Sequence, residues 1–123
     1  MSEKCSCETS KVLVFPCSGG ADVGALSDAV ARKLSRDGKV KMFCLAGIGA
    51  HVDGMIESAK SAERIISIDG CPVMCAKKLL EYAGFSPDAF VLKQFGFEKG
   101  KTDINDGAIE GVASSILGEG TIK

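Results

Sequence analysis

The stretch RIISIDGCP, residues 64–72, decides the fold, because its β-branched first half stops abruptly at a Gly-Cys-Pro turn. A short run of this kind, bounded by turn residues, predicts a buried strand. The stretch KVLVFP, residues 11–16, has the same character and is followed by Cys17 and a glycine-rich loop. These two strands are the most apolar of the chain, so we place them side by side in the centre of a sheet.

Two further runs, VKMFCL at 40–45 and FVLKQF at 90–95, contain lysine or glutamine and predict edge strands. Apolar residues at helical spacing follow each predicted strand. This alternation predicts an α/β fold: a small three-layer sandwich, flavodoxin-like or Rossmann-like, with a four-stranded parallel sheet in the order 2-1-3-4. The predicted helix boundaries are an end at Arg36, a cap at Asp53, a first residue at Pro72 and a cap at Asn105.

The composition indicates one globular domain, which we place at residues 11–120. The chain has 123 residues, of which 46% are hydrophobic and 25% charged, and its net charge is −1. A near-neutral balance gives no electrostatic reason to expect nucleic acid as a partner. No apolar run has the length of a membrane span, and the polar N-terminus has no signal-peptide core. We therefore expect a cytoplasmic protein with no membrane partner.

Three cysteines are evenly spaced, since 27 residues separate Cys17 from Cys44 and 27 separate Cys44 from Cys71. This interval is close to the length of one strand–helix unit in a parallel sheet, about 30 residues. Each cysteine also stands where a predicted strand gives way to a loop. The three thiols are therefore expected at the same, carboxyl edge of the sheet, where ligands bind in such folds. Cys75 lies one helical turn beyond Cys71 and adds a fourth thiol.

Four thiols at one edge predict a metal site with Cys17, Cys44, Cys71 and Cys75 as ligands. Zinc prefers four tetrahedral ligands in structural sites, and thiolate is among the best of them. In a reducing cytosol, cysteines more often bind metal or react than form disulfides. Copper(I) and iron–sulfur clusters also use cysteine ligands, so the prediction is a thiophilic metal ion as partner and zinc as the first choice.

The cysteine segments also resemble a known family. The run Ile68-Asp69-Gly70-Cys71-Pro72, followed by Cys75, resembles the motif for which the DGC domain family is named. The segments Pro16-Cys17-Ser18-Gly19 and Cys44-x-Ala46-Gly47 are similar to its other cysteine segments, and the resemblance spans about residues 11–117. It implies a zinc-binding protein whose four chelating cysteines match the four named above. Metal sensing or delivery is the role we expect.

A thiol enzyme is the alternative: redox chemistry, or transfer of a sulfur or oxyanion group, with Cys17 or Cys71 as the nucleophile. Both cysteines are expected at helix starts beside the central strands. The loop Ser18-Gly19-Gly20 is a candidate anion site, because backbone N–H groups before a helix bind anions. It is not a phosphatase loop, since the arginine needed six positions after the cysteine is replaced by Val23.

Three further features of the sequence carry expectations of their own. Residues 1–10, with Cys5 and Cys7, are predicted to be a flexible arm whose thiols either serve the site or are incidental. His51, the single histidine, follows the second strand and is either a ligand, a proton shuttle or a solvated loop residue. Asp69 precedes the Gly-Cys turn and is expected to orient that loop by hydrogen bonding.

Overall fold

The computed structural model describes residues 12–118, so the predicted arm at 1–10 lies outside the described residues. Within residues 12–118 the chain forms four strands: β1 Val12–Pro16, β2 Lys41–Met42, β3 Arg64–Asp69 and β4 Asp88–Val91. The α-helices are α1 Asp22–Arg36, α2 Leu45–Gly49, α3 Asp53–Lys60, α4 Cys75–Tyr82 and α5 Asp106–Gly118. A short 3₁₀ helix, Leu92–Phe95, continues directly from β4. None of the helices within 12–118 has both the length and the apolar character that crossing a membrane requires.

The four strands form one parallel sheet in the order β2-β1-β3-β4, which confirms the predicted topology. β1 and β3 pair over five residues, from Val12 opposite Arg64 to Pro16 opposite Ile68. The backbone N–H of Cys17 continues this ladder by donating to the Ile68 carbonyl oxygen at 2.8 Å. The chain order reverses between β1 and β3, so the switch point of the sheet lies where Cys17 and the Gly-Cys turn emerge.

Two hydrophobic cores cover the two faces of the sheet, because alternate residues of a strand point to opposite faces. Val14, Ile66 and Ile68 are fully buried on one face, in a core that α1 and α5 complete. Leu13 and Phe15 are buried on the other face, with residues of α2, α3 and α4. The predicted three-layer sandwich is therefore present, and its central strands are the two predicted from their apolar runs.

The edge strands are shorter than predicted. The run predicted as a strand over 40–45 pairs only at Lys41 and Met42. The run predicted over 90–95 is a strand only as far as Val91, and then becomes the 3₁₀ helix. A strand with one neighbour forms a single ladder, so apolar residues at its end are free to turn into the next element.

Two predicted helix starts are wrong by a few residues. Pro72 does not open a helix, because it lies in the turn before α4, and α4 begins at Cys75. Asp53 is the first residue of α3 rather than its cap, which is Val52. The segment before it contains the short helix α2, although Gly47 and Gly49 are more typical of a loop. By contrast, α1 ends at Arg36 as predicted, and the Asn105 side chain caps α5 by accepting the Ala108 N–H at 2.8 Å.

The first turn of α1 lies in backbone contact with two loops at the carboxyl edge. A Cβ atom placed on Gly70 would stand 2.6 Å from the Val23 carbonyl carbon. One placed on Gly24 would stand 2.6 Å from the Gly19 carbonyl oxygen. Only glycine permits such an approach, because real Cβ contacts are longer than this. The helix is thus fitted between the loop after β1 and the loop after β3.

Asp22, at the start of α1, ties down the distant connection before α5. Its carboxylate accepts hydrogen bonds from the backbone N–H groups of Gly100 at 2.9 Å and Thr102 at 3.0 Å. These two bonds are the main causes that hold the pKa of Asp22 below its usual value. The connection is therefore anchored to the N-terminal end of α1.

We expect Gly70→Ala to lower the free energy of unfolding by about 1–3 kcal/mol, since the new methyl group must push the Val23 backbone away. Urea denaturation of the metal-free protein measures this. Gly54→Ala is the matched control, because a Cβ at Gly54 meets no atom within 4 Å. Its stability should be unchanged, or raised by up to about 1 kcal/mol. Equal effects of the two substitutions would contradict the close-packing argument.

The Asp22 anchor should weaken in acid. Because the folded pKa of Asp22 is lowered, its contribution to stability is present above the unfolded value, 3.8, and is lost as pH falls through the folded pKa. We expect the amide proton shifts of Gly100 and Thr102 to titrate together below pH 3.8, as followed by NMR. In Asp22→Asn this shared titration should vanish; if it persists, another group is responsible.

Candidate functional site

The four predicted ligands all lie at the carboxyl edge of the sheet. Cys17 directly follows β1, and Cys44 comes two residues after β2. Cys71 comes two residues after β3, and Cys75 is the first residue of α4. Cys17 and Cys71 are half-buried, whereas Cys44 and Cys75 are exposed, and all four are free thiols. The common edge predicted from the even spacing is therefore found, with one cysteine at the end of each of the first three strands.

Cys17 is the most constrained of the four. Its sulfur accepts a hydrogen bond from the Gly19 N–H, and its carbonyl oxygen accepts one from the buried Ser27 hydroxyl. Burial raises the pKa of the Cys17 thiol, and the charges of Asp69, Cys75 and Cys71 raise it further, against the Gly19 hydrogen bond. Burial and the neighbouring charges therefore act against ionisation of the Cys17 thiol.

Cys71 and Cys75 are joined by a tight turn. The Met74 N–H donates to the Cys71 carbonyl oxygen at 3.0 Å, and Pro72 occupies the second position of this four-residue turn, which suits its fixed φ angle. Met74 then adopts a left-handed conformation, with φ 58° and ψ 52°, immediately before α4. Left-handed backbone is unfavourable for a residue with a Cβ, so this turn holds local strain.

Asp69 fixes the start of α4 beneath this turn. Its buried carboxylate accepts hydrogen bonds from the backbone N–H groups of Ala76 at 2.7 Å and Lys77 at 3.0 Å. Burial raises the pKa of Asp69, and these two bonds oppose that shift. Asp69 does bond to backbone N–H groups as expected, but those groups belong to the start of α4 rather than to the Gly-Cys loop, so the predicted target is wrong. The carboxylate thereby positions Cys75 relative to Cys71.

Cys44 follows the edge strand β2, whereas Cys17 and Cys71 follow the two central strands. It is the N-cap of α2, and its sulfur accepts a hydrogen bond from the Gly47 N–H at 3.3 Å. It also borders a cavity formed with β2 and α1. The neighbouring charges that raise the pKa of Cys17 include those of Cys71 and Cys75. The site thus consists of a group of three, Cys17, Cys71 and Cys75, which we call the thiol trio, and Cys44 beside it.

The donor set fits a thiophilic cation by its chemistry. Four sulfur atoms stand at one edge, and N–H groups already point at two of them, as they do around metal-bound thiolates. As the side chains stand, however, no three of the Cys, His, Asp and Glu residues within 12–118 are arranged to hold a metal ion. Metal binding would require the thiol side chains to rotate towards a common centre.

Two donors of the predicted anion loop after β1 form internal hydrogen bonds. The Gly19 N–H donates to the Cys17 sulfur, and the Ser18 hydroxyl donates to Asp28 at 2.7 Å. Ser18, Gly19 and Gly20 are all exposed. Anion binding there stays a prediction, and the geometry shows that the loop first serves the thiol.

His51 lies away from the trio. Its ring meets that of Tyr82 edge to face, with centroids 6.4 Å apart. Tyr82 ends α4 and Cys75 begins it, so the two are separated by the length of an eight-residue helix, about 10 Å. The structure therefore favours the solvated loop residue among the three roles considered for His51.

Three residues near the site had not been singled out from the sequence. Ser27 is buried beneath Cys17 and braces its carbonyl group. Asp28 and Arg32 form an ion pair at 2.7 Å on the exposed side of α1, next to Ser18. A signal existed for Ser27, because it is a polar residue on the apolar stripe of α1. The i, i+4 spacing of Asp28 and Arg32 predicts their pairing, but not what the pair adjoins.

The cysteine edge lies within a region of the chain that matches a known protein family. The DGC domain model matches residues 13–116. This range includes the four candidate ligands and all of the strands described above, apart from Val12, the first residue of β1. The chain belongs to the DGC domain family. The predicted resemblance is thus confirmed over most of the domain.

One curated relative is the Anaerobic and virulence modulator AnvM of Pseudomonas aeruginosa, strain PAO1. It is 38% identical over 68 residues, which are 55% of this chain and 52% of AnvM. The match therefore spans about half the length of that relative. No solved structure matches this chain significantly.

The strain at Met74 can be measured with two truncations. Met74→Gly and Met74→Ala both remove the side-chain contacts, but only glycine adopts left-handed backbone without cost. We expect Met74→Gly to be more stable than Met74→Ala by about 1 kcal/mol, the reverse of the usual order. Urea denaturation of the metal-free proteins tests this. Equal stability, or a more stable alanine variant, would show that the turn is not strained.

Proposed function

We propose that this protein binds zinc, or a similarly thiophilic ion, through Cys17, Cys44, Cys71 and Cys75, and that it senses or delivers that metal. One observation carries the proposal: Cys17, Cys44, Cys71 and Cys75 all lie at the carboxyl edge of one parallel sheet, after β1, β2 and β3 and at the start of α4. Four thiols delivered to one edge form a donor set that suits a divalent thiophilic cation.

The surroundings of the thiols support this proposal. Four thiolates around Zn²⁺ leave a formal charge of −2, which the site must offset. The N–H groups of Gly19 and Gly47 point at two of the sulfur atoms. Cys75 opens α4, whose N-terminal end carries the positive end of the helix dipole. When bound, zinc supplies a positive centre that holds three loops together.

The two hydrophobic cores favour a role for the metal site beyond holding the fold together. Residues of both sheet faces are fully buried without help from the cysteine edge, as Val14 and Phe15 illustrate. A domain with its own cores does not need a metal in order to fold, in contrast to a zinc finger. The relative AnvM is named as a modulator. A sensing role for the thiol edge is in keeping with that name.

The thiol enzyme is the weaker candidate, at least with Cys17 as its nucleophile. Nucleophilic cysteines need a lowered pKa, because the thiolate is the reactive form. Burial and the neighbouring charges raise the pKa of Cys17 instead. Cys71 is left as the candidate nucleophile for that alternative.

The test is metal content together with a thiol count, in protein purified anaerobically. We expect about one zinc per chain, with Cys17, Cys44, Cys71 and Cys75 protected from alkylation until a chelator is added. Replacing any one of the four by serine should lower the metal content severalfold while circular dichroism stays unchanged. Elemental analysis also identifies copper or iron if either replaces zinc.

The matched control is the double variant Cys5→Ser, Cys7→Ser, which changes two thiols outside the proposed set. It should keep its full metal content. Metal-free protein in which Cys71 alone reacts rapidly at neutral pH would overturn the metal proposal and favour the enzyme. Loss of metal in the double variant would show that the N-terminal thiols are ligands.

A further inference from the structure

A cavity of about 560 Å³ opens beside the thiol edge, between the ends of β1 and β2 and helices α1, α2 and α4. This volume is within the range of small-molecule sites, roughly 300–1,000 Å³. Most of its wall is apolar. The apolar lining residues are Pro16, Met42, Phe43, Leu45, Ala46 and Leu79. The thiol trio does not line it, so the cavity is distinct from the proposed metal site except at Cys44.

Three polar side chains stand together at one side of this cavity. They are Arg32, Asp28 and Ser18, and all three line it. Asp28 accepts hydrogen bonds from the Ser18 hydroxyl and from Arg32 Nε, each at 2.7 Å. Burial acts against ionisation of Asp28, yet Arg32 and Ser18 together hold its pKa below its usual value. Arg32 is therefore oriented by the Asp28 carboxylate, whose ionised form it favours.

The guanidinium of Arg32 keeps donors for a ligand. Asp28 engages only the Nε edge, and within residues 12–118 no other partner of Arg32 is found. The two terminal nitrogens form the fork that binds carboxylates in two parallel hydrogen bonds. The Arg32 side chain is 61% exposed, so a solute has access to it.

The charge balance selects the class of anion. The Asp28 carboxylate balances the charge of Arg32, so the pair has no net charge, and that carboxylate repels a dianion such as phosphate more strongly than a monoanion. A singly charged carboxylate suits the free edge of the guanidinium better. The apolar wall then requires an apolar body attached to the carboxylate. Few, well-placed polar groups on a largely apolar cavity are typical of sites for such metabolites.

We propose that this cavity binds a small monocarboxylic acid with an apolar body, whose carboxylate pairs with Arg32 and whose body lies against Phe43 and Leu79. Cys44 borders the cavity, so a bound acid covers one side of that thiol. The proposal does not depend on metal binding, because none of the groups that hold the acid is a proposed metal ligand.

The test uses phenylacetate as probe and phenylacetamide as its uncharged match, with ¹⁵N-labelled protein followed by NMR. We expect phenylacetate to shift the amide signals of α2 and of residues 42–46, with a dissociation constant of about 1 mM or below. Phenylacetamide should bind about tenfold more weakly, since it lacks the charge. Equal binding of the two probes, or no shifts with phenylacetate up to about 20 mM, would overturn the proposal.

Two variants and a control locate the site. Arg32→Gln should weaken phenylacetate binding about tenfold, whereas Arg36→Gln, one turn further along α1 and outside this cavity, should change it less than about twofold. Ala46→Phe fills the cavity from an exposed helix position and should abolish binding. Equal losses in the two arginine variants, or undiminished binding in Ala46→Phe, would refute the assignment.

The same titration, repeated with zinc-loaded and chelator-treated protein, separates this proposal from the metal proposal. We expect phenylacetate to bind in both preparations, and to slow alkylation of Cys44 at least about threefold in the metal-free one. If zinc fails to bind and phenylacetate still does, only the metal proposal falls. If phenylacetate leaves the reactivity of Cys44 unchanged, the placement of the acid beside that thiol is wrong.

Discussion

The backbone contact between the first turn of α1 and the two central loops is the constraint on which the cysteine edge depends. Gly24 lies against Gly19, and Gly70 lies against Val23, at distances that no Cβ atom would allow. Because α1 is wedged there, the loop after β1 and the loop after β3 are held at one level. Cys17 and Cys71 emerge from those loops, so their proximity follows from the packing of a helix rather than from any bond between them.

The sequence predicts the centre of this fold better than its periphery, for a physical reason. β1 and β3 are buried on both faces, which requires continuous apolar runs that are visible without a structure. Each edge strand ends where its hydrogen bonding to its one neighbouring strand stops, and the amino-acid composition does not indicate that position. The helix α2 escapes prediction because Gly47 and Gly49 suggest a loop. Glycine is tolerated there because side chains of Met55 and Leu79 pack against the bare backbone.

The candidate site likewise has parts that the sequence predicts and parts that it does not. The positions of the four cysteines at strand ends follow from spacing, since each crossover unit has a similar length and delivers its end to the same edge. The turn between Cys71 and Cys75 does not follow from spacing, because it combines the left-handed backbone of Met74 with the Asp69 hydrogen bonds that fix the start of α4. The cavity beside Arg32 also depends on elements far apart in the chain. Neither feature has a local sequence pattern.

The separation of Cys44 from the thiol trio has an energetic meaning. The N–H group of Gly47 holds its sulfur at 3.3 Å, and a neutral hydrogen bond of this kind contributes about 1 kcal/mol. A thiolate–metal bond is worth several times more, so a bound ion would draw Cys44 away from its resting place at little cost. Because Cys44 also borders the cavity, its position is the one point where occupancy of the cavity and occupancy of the metal site would influence each other. If an acid in the cavity favours the resting position of Cys44, it would lower the affinity of the site for metal. A bound metal would then lower the affinity of the cavity for the acid by the same factor.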